Sequence, residues 1–483
     1  AERPFLTYED QDISYAQVLD AIKRLAAKLL ELVPGNSSEP ENHIALFAPN
    51  LPGFVIGFYG TLAANKTTVP INFLLNPNEI MTIGMHAGIR IVLASGPLYE
   101  KAVEMSRAVP ITVLRIEDFF APGPVPELPA VSRGDDDTAV LMYTSGTTGM
   151  PKGVELTHTN IHDNYSNVVG AWPFHEGNTF IGVIPLFHSF AMTALLVLSG
   201  YIGARLVLLP QFMPQKLIEY FLKYPDCIFF AVPPMFKVLG QIALSKGLKF
   251  PNLKLCVSGA AALPMDVKEI FEKGTGVDLF QGYGLTEASP AVSFNLPGAH
   301  KPGTIGRPIP HVRVEIWDDE GKPLPTGQVG ELVVFGKNVM RGYYKNPQAT
   351  AQAINPDGGL HTGDLAKIDE EGFISIAGRK KELIICAGEN IYPTEIEHVL
   401  GAHPGVADAA VIGIPHPTKG EEPKAFVAPV PGATLDPAEL KQLCKEKLAA
   451  FKVPAEIEIR ESLPKNPTGK VLKRVLEAEI GKA

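Results

Sequence analysis

The chain has 483 residues, 46% of them hydrophobic and 20% charged, with 43 basic and 52 acidic side chains and a net charge of −9. That length suits roughly two to four domains, and the composition excludes a mainly disordered or coiled-coil organisation. The acidic balance argues against nucleic-acid binding, which needs a basic surface to neutralise phosphates.

Ser14 and Gln17 have the spacing of a capping box. Val18, Ile22, Leu25 and Leu29 then recur at helical spacing up to Pro34-Gly35. Short apolar runs at Ile44–Ala48, Val69–Ile71, Ile89–Ser95 and Val140–Tyr143 read as buried strands. Helix-like segments separate them, and alternation of this kind predicts α/β layering. Further strands are expected at Leu206–Leu209, Ile228–Val232 and Leu253–Ser258. The apolar stretch Phe190–Ala204 stops at Arg205. It is shorter than the ~20 residues of a membrane-spanning helix, so it reads as a buried helix.

From about residue 303 the texture changes. Val312–Trp317, Glu331–Phe335 and Phe373–Ala377 are separated by Asp-, Glu-, Gly- and Pro-rich turns, which predicts a β-rich subdomain at about 300–375. Beyond the polar stretch Gly378-Arg-Lys-Lys381, a helix at Thr394–Leu400, strands at Ala407–Ile414 and Lys424–Val430, and an amphipathic segment Pro437–Ala450 form a small α+β unit. The expected fold class is therefore α/β: a large layered N-terminal domain over 1–378 that includes the β-rich subdomain, and a small α+β C-terminal domain over 382–483. The four cysteines, Cys227, Cys256, Cys386 and Cys444, have neither metal-site nor redox spacing. With a polar N-terminus unlike a signal peptide, they fit a reduced, cytoplasmic compartment.

The strongest chemical signal is Tyr143-Thr-Ser-Gly-Thr-Thr-Gly-Met-Pro-Lys-Gly153, a strand running into a loop of glycines, hydroxyls and one lysine. Glycines let backbone N–H groups approach a phosphate closely, and the hydroxyls and lysine add donors and charge. Thr144, Ser145, Gly146, Thr147, Thr148 and Lys152 are the candidate phosphate contacts. The loop is not a Walker A loop, because Lys152 follows proline and precedes glycine. Gln281-Gly-Tyr-Gly-Leu-Thr-Glu287 sets an aromatic ring between two glycines and follows it with a hydroxyl and a carboxylate. That set suits a magnesium nucleotide. Ser258-Gly-Ala-Ala261 closes a strand and looks like the other wall of such a pocket.

Six further motifs follow the glycine-rich loop in order: Pro185-Leu-Phe-His-Ser-Phe190, Gly282–Glu287, Gly330-Glu-Leu332 with Arg341-Gly-Tyr343, His361-Thr-Gly-Asp364, Gly378–Glu382 with Gly388, and Pro467-Thr-Gly-Lys470. Together they resemble the adenylate-forming superfamily of acyl-CoA synthetases, aryl-CoA ligases, firefly-type luciferases and adenylation domains, and among these the fatty acyl-CoA ligases most. The resemblance covers about two thirds of the chain; the first ~135 residues carry no motif but have a compatible pattern.

The resemblance implies ATP, Mg²⁺ and coenzyme A as co-substrates and assigns roles by position. Tyr283 would stack on adenine, with Gln281, Gly282, Gly259 and Ala260 lining the pocket. Thr286 would contact the α-phosphate and Glu287 would help hold the metal. Asp364 would accept the ribose hydroxyls from a turn, and Arg379 would contact the nucleotide. Lys470 would be the catalytic cation between carboxylate and α-phosphate. The segment 379–381 would be the hinge, centred on Lys381, for a mobile C-terminal domain. Gly388 would let the pantetheine arm of CoA pass.

The acid would lie against His188, Phe190, Met192, Ala194 and Val232, a set without charge. Burying an unpaired substrate charge there would be costly, and His188–Leu198 lacks the aspartate expected for an amino-acid substrate. The expected activity is an AMP-forming carboxylic acid–CoA ligase acting on a medium- or long-chain fatty acid. A coumarate-like aryl acid, or transfer of the acyl group to a carrier protein, are the alternatives. The partners are small molecules, and a homodimer is compatible with a chain of this size. Where coumarate-ligase-like members often carry lysines, this chain has Ile384-Ile-Cys-Ala387, so the residues that meet the CoA phosphates are not legible.

Overall fold

The computed structural model describes residues 2–34, 42–129, 134–144, 151–465 and 469–481. A nine-stranded sheet runs in spatial order Arg307–Pro308, Ala291–Phe294, Leu279–Gly284, Leu253–Ser258, Cys227–Ala231, Thr179–Gly182, Arg205–Leu208, Pro4–Tyr8 and Gln11–Ser14. The six strands from Leu279–Gly284 to Pro4–Tyr8 are parallel. A seven-stranded sheet runs Gly342–Tyr343, Lys152–Thr157, Thr138–Thr144, Thr67–Pro70, His43–Phe47, Ile91–Ala94 and Thr112–Arg115.

These parallel strands are short apolar runs rather than alternating ones because helices cover both faces. One apolar core joins the two sheets: Leu46, Phe54, Phe58 and Leu93 pack in it with Phe180, Leu206 and Leu208. The stretch read as a buried helix lies within this core, with Met192, Leu195 and Leu196 fully buried. It begins as an α-turn at Ser189–Ala191, widens to a π-helix over Met192–Val197 and returns to α-helix at Leu198–Ile202. Among the described residues no helix is long and apolar enough to cross a membrane.

The β-rich region forms an antiparallel four-stranded sheet of Arg313–Trp317, Gly330–Phe335, Leu360–Ile368 and Ile374–Arg379. The last sheet pairs Glu389–Ile391, Ile384–Cys386, Gly420–Pro429 and Val406–His416 in that order, with Glu456–Ile459 parallel to Gly420–Pro429. It has its own core of Ile396, Leu400, Val411, Val427 and Leu440.

The Ser14–Gln17 capping box forms as its spacing predicts. Many strands lie outside the sequence reading, among them Lys152–Thr157, Thr179–Gly182, Leu279–Gly284, Ala291–Phe294 and Glu456–Ile459. The hairpin Pro4–Tyr8/Gln11–Ser14 turns through Glu9 and Asp10 at φ 48° and 60°. It carries none of the glycine or asparagine that announces such turns, and it owes its place to a partner two hundred residues away, Arg205–Leu208. Leu360–Ile368 was also hidden, because Thr362-Gly-Asp364 looks like a turn. Asp364 instead sits in this strand, opposite Arg379. The helix expected over Pro437–Ala450 stops at Lys447.

Candidate active site

In an open α/β sheet, side chains from successive loops converge beyond the carboxyl ends of the parallel strands. Three adjacent strands of the large sheet end in that way here. Val232 follows Cys227–Ala231, Gly259 and Ala260 follow Leu253–Ser258, and Gln281, Gly282 and Tyr283 close Leu279–Gly284. The Gly259 N–H donates to Ala231 O at 3.1 Å, tying two of these ends together. Ala260 takes φ +64°, a conformation that costs energy for a residue with a Cβ.

The Tyr283 hydroxyl donates to Asp364 Oδ2 at 2.5 Å, and Arg379 Nε lies 3.0 Å from Asp364 Oδ1. Asp364 is 5% exposed, so its charge is affordable only with both partners in place. Burial, and then the Asp364 carboxylate, push the Tyr283 hydroxyl well above its ordinary pKa and keep it a donor. Behind this corner Glu331, also buried, accepts from Gly363 N at 3.1 Å and from Lys380 Nζ at 3.2 Å. Lys380 reaches Asp319 as well, at 2.8 Å. The basic cluster at 379–381 is thus partly engaged with carboxylates rather than a uniformly solvated run.

The second cluster gathers at Lys152, on the strand that follows the glycine-rich segment. Thr144 pairs with Lys152 in the strand ladder, which closes the loop between them; Ser145, Gly146, Thr147 and Thr148 lie outside the described residues. The Lys152 ammonium sits 4.7 Å from the centroid of Tyr343, and Tyr343 OH donates to Glu287 Oε1 at 3.0 Å. Burial, then Glu287, raise the Tyr343 hydroxyl pKa. Thr286 Oγ1 is 3.0 Å from Ser189 Oγ, which pins the start of the buried helix to this turn. Asn164 and Asn338 both donate to Ala288 O, at 3.2 and 3.0 Å, and hold the turn from behind.

Among the described residues no group of three or more His, Cys, Asp or Glu side chains could hold a metal by itself. Glu287 offers one carboxylate beside a lysine and hydroxyls. That donor set suits Mg²⁺, which completes its shell from phosphate oxygens and water.

The acid side is apolar. Phe190 lies over Gly259, whose absent Cβ would stand 3.0 Å from the ring, and edges onto Phe230 at 6.1 Å. Met192 is fully buried, Val232 nearly so, and Ala194 keeps some open surface. Burial lowers the His188 pKa, so the imidazole is neutral at pH 7. Gly259→Val is expected to displace Phe190 and raise the KM for the acid several-fold, on the scale of overpacking by ~1–2 kcal/mol. Steady-state kinetics should find the KM for ATP little changed; an equal rise in both would contradict this placement of Phe190.

Lys470 comes from the other end of the chain. Next to it, the position of a Gly469 Cβ would be 3.6 Å from Pro234 Cγ, so Gly469 abuts the helix Pro233–Lys246, which follows Val232. Burial, then the Arg379 charge, lower the Lys470 pKa, while Glu382 and Asp364 work in the opposite sense. The Lys470 side chain nonetheless keeps an exposed surface. Lys381 and Gly388 are exposed. Gly388 takes φ +85° after Ala387 at +52°; the hairpin turn alone accounts for a glycine there, and a Cβ would meet nothing within 4 Å.

Glu331 and Tyr343 belong to motifs visible in the sequence, yet their roles were not legible; only the fold shows that one backs Asp364 and the other holds Glu287. Beside Ala387, a cleft of about 600 Å³ is lined by Lys419, Lys441, Lys445 and Phe451. No spacing rule brings these four together.

The fold and this corner define an α/β nucleotide-binding enzyme with a C-terminal unit built on its own core. The chain belongs to the AMP-binding enzyme family: residues 1–344 match it, and residues 395–470 match the AMP-binding enzyme C-terminal domain. It is 36% identical to a long-chain-fatty-acid–CoA ligase of Bacillus subtilis (strain 168), over 94% of this chain and 88% of that one. It is 33% identical to a feruloyl-CoA synthase of Amycolatopsis sp, over 97% and 94%. The ATP-bound structure of MatB from Rhodopseudomonas palustris superposes with a TM-score of 0.91 at 29% identity, over 99% of this chain and 96% of that one; the apo form of MatB gives 0.80.

Proposed function

We infer that the chain is an ATP-dependent carboxylic acid–CoA ligase, AMP-forming, with a medium- or long-chain fatty acid as its substrate. The observation that carries this reading is the Tyr283–Asp364–Arg379 corner at the carboxyl ends of the parallel strands, beside an uncharged pocket. The acid's carboxylate attacks the α-phosphate of ATP, pyrophosphate leaves, and an acyl-adenylate forms. A CoA thiol then attacks the acyl carbonyl, the acyl–phosphate bond breaks, and AMP leaves.

Asp364 and Arg379 orient the ribose end, Tyr283 offers its ring to the base, and Thr286 and Lys152 meet the phosphates. Glu287 would hold Mg²⁺, which neutralises charge on the leaving pyrophosphate. Lys470 places a point charge where carboxylate and phosphate repel each other. His188, held neutral, and Phe190 keep the acid's tail in an apolar setting.

The 379–381 segment is the hinge between residues 1–378 and 382–483. The better superposition on the ATP-bound neighbour supports reading this structure as the adenylate-forming arrangement. Rotation about Lys381 would withdraw Lys470 and bring Gly388 to the site, letting one pocket serve both half-reactions. The four buried, unbonded cysteines support action in the reducing cytoplasm. The feruloyl-CoA synthase relative keeps an aryl acid as the second reading.

The cleft beside Ala387 supplies what the CoA nucleotide needs: ammonium groups for its phosphates and the exposed Phe451 ring for its base. Lys419→Ala with Lys445→Ala is expected to raise the KM for CoA about tenfold, on the scale of one or two lost charge-assisted bonds, with ATP–pyrophosphate exchange unchanged. A matching loss of exchange would place the lysines elsewhere in the mechanism.

The test of the whole reading is AMP release from ATP and Mg²⁺ with acids from acetate to palmitate and with coumarate, each with and without CoA. CoA-dependent release peaking at an aliphatic acid is the expected result. A peak at coumarate selects the aryl reading. Pyrophosphate release without CoA-dependent turnover would overturn the CoA-ligase step.

A further inference from the structure

Lys470 directly precedes Val471 on the outgoing leg of a chain reversal. Lys465 and Val471 bridge across its base, and Leu472 N donates to Pro464 O at 2.8 Å. Each leg ends in an ion pair with the body of the C-terminal unit. On the incoming leg, Lys465 Nζ meets Asp408 of the strand Val406–His416 at 2.7 Å. On the outgoing leg, three residues past Lys470, Lys473 Nζ lies 2.6 Å from Glu382 and 2.7 Å from Glu397.

The outgoing anchor is the more heavily built. The Lys473 side chain is 14% exposed, against 36% for Lys465. Lys473 opens the helix Lys473–Glu479, where a cation opposes the helix dipole; local propensity does not put it there. Burial pulls its pKa down, but Glu397 and Glu382 outweigh it and hold the lysine charged. Glu397, from the helix Pro393–Gly401, also accepts from Val411 N at 2.7 Å. Glu382 directly follows Lys381, the proposed hinge residue. Lys473 therefore links this chain reversal to the sheet, to a helix and to the first residue beyond the hinge.

We propose that Lys473, bridging Glu382 and Glu397, is a positioning residue that sets the height and direction of Lys470 in the adenylate-forming arrangement. The proposal rests on the ligase reading above. All three members lie C-terminal to Lys381, so the triad travels intact when the unit rotates. It matters to the half-reaction that uses Lys470 and not to the one that does not. A displacement of about 1 Å at a reacting group is enough to cost on the order of 100-fold, so a slackened reversal should be read directly in the rate.

The experiment separates the half-reactions in the full chain, using the acid that turns over fastest in the chain-length series. ATP–pyrophosphate exchange reads adenylate formation, and conversion of supplied acyl-AMP with CoA reads thioester formation. For Lys473→Met, exchange should fall on the order of 10–100-fold while thioester formation stays within about twofold, the second reaction doubling as proof that the C-terminal unit is folded. Glu397→Gln should show the same asymmetry, Lys473→Arg should restore most of the exchange rate, and Lys465→Met should lose less than Lys473→Met. Equal loss in both half-reactions, or no loss in either, would overturn the proposal. A wild-type chain inactive in both would instead overturn the ligase reading and the proposal with it.

Discussion

Lys470→Ala is expected to slow acyl-adenylate formation by about 10²–10³-fold, the usual cost of removing one preorganised charge from a developing anion. Thioester formation from supplied acyl-AMP should be nearly unaffected, because a mixed anhydride needs no cation between carboxylate and phosphate. Pre-steady-state measurement of the two steps decides it, and a comparable drop in both would remove Lys470 from its proposed role. The pH profile gives a second reading of the same residue. Burial and Arg379 lower the Lys470 pKa from the ordinary 10.5. Adenylate formation needs the protonated ammonium, so its rate should be full below the shifted pKa and fall as pH rises through it. The alkaline limb therefore lies below 10.5. In Lys470→Arg that limb should vanish, since a guanidinium does not titrate there, at the cost of rate from a planar fork replacing a point charge.

Asp364→Asn carries the second large effect. The carboxylate holds Tyr283 and Arg379 at 2.5 and 3.0 Å, and the amide keeps the shape but removes the charge that pairs with Arg379. Losing hydrogen bonds to a charged group costs about 1.5–3 kcal/mol, so the KM for ATP should rise roughly 10–100-fold with the KM for the acid little changed. Tyr283→Phe, which keeps the ring and drops one hydrogen bond, should cost about 1 kcal/mol or roughly fivefold. If Tyr283→Phe proves as damaging as Asp364→Asn, the hydroxyl, not the carboxylate, is the group the nucleotide depends on.

Short motifs made much of this site legible. Tyr283, Thr286 and Glu287 stand together because they are neighbours in one segment, and the glycine-rich loop follows its strand because sequence order demands it. The chain order of apolar runs likewise announced an α/β fold, since parallel strands buried on both faces need little beyond continuous hydrophobicity. What stayed hidden depends on pairing across distance. Asp364 looks like a turn residue until a neighbouring strand places Arg379 opposite it. Tyr343 meets Glu287 only because the strand Gly342–Tyr343 adds to the edge of Lys152–Thr157.

The division has a physical reason. Local features depend on residues a few positions apart: the Ser14 cap and the backbone freedom of glycines in sequence. The amino-acid sequence by itself determined those, and with them the family resemblance. The Arg379 ion pair and Tyr283 hydrogen bond that hold Asp364, the cleft between Lys419 and Lys445, and the Lys473 bridge join residues that are not neighbours in the chain. Asp364 and Lys473 look like ordinary solvated side chains until folding largely buries them. Only the tertiary structure decided which carboxylate each lysine meets, because the energy that selects the partner, desolvation set against a charge-assisted bond, exists only once the surrounding core has excluded water.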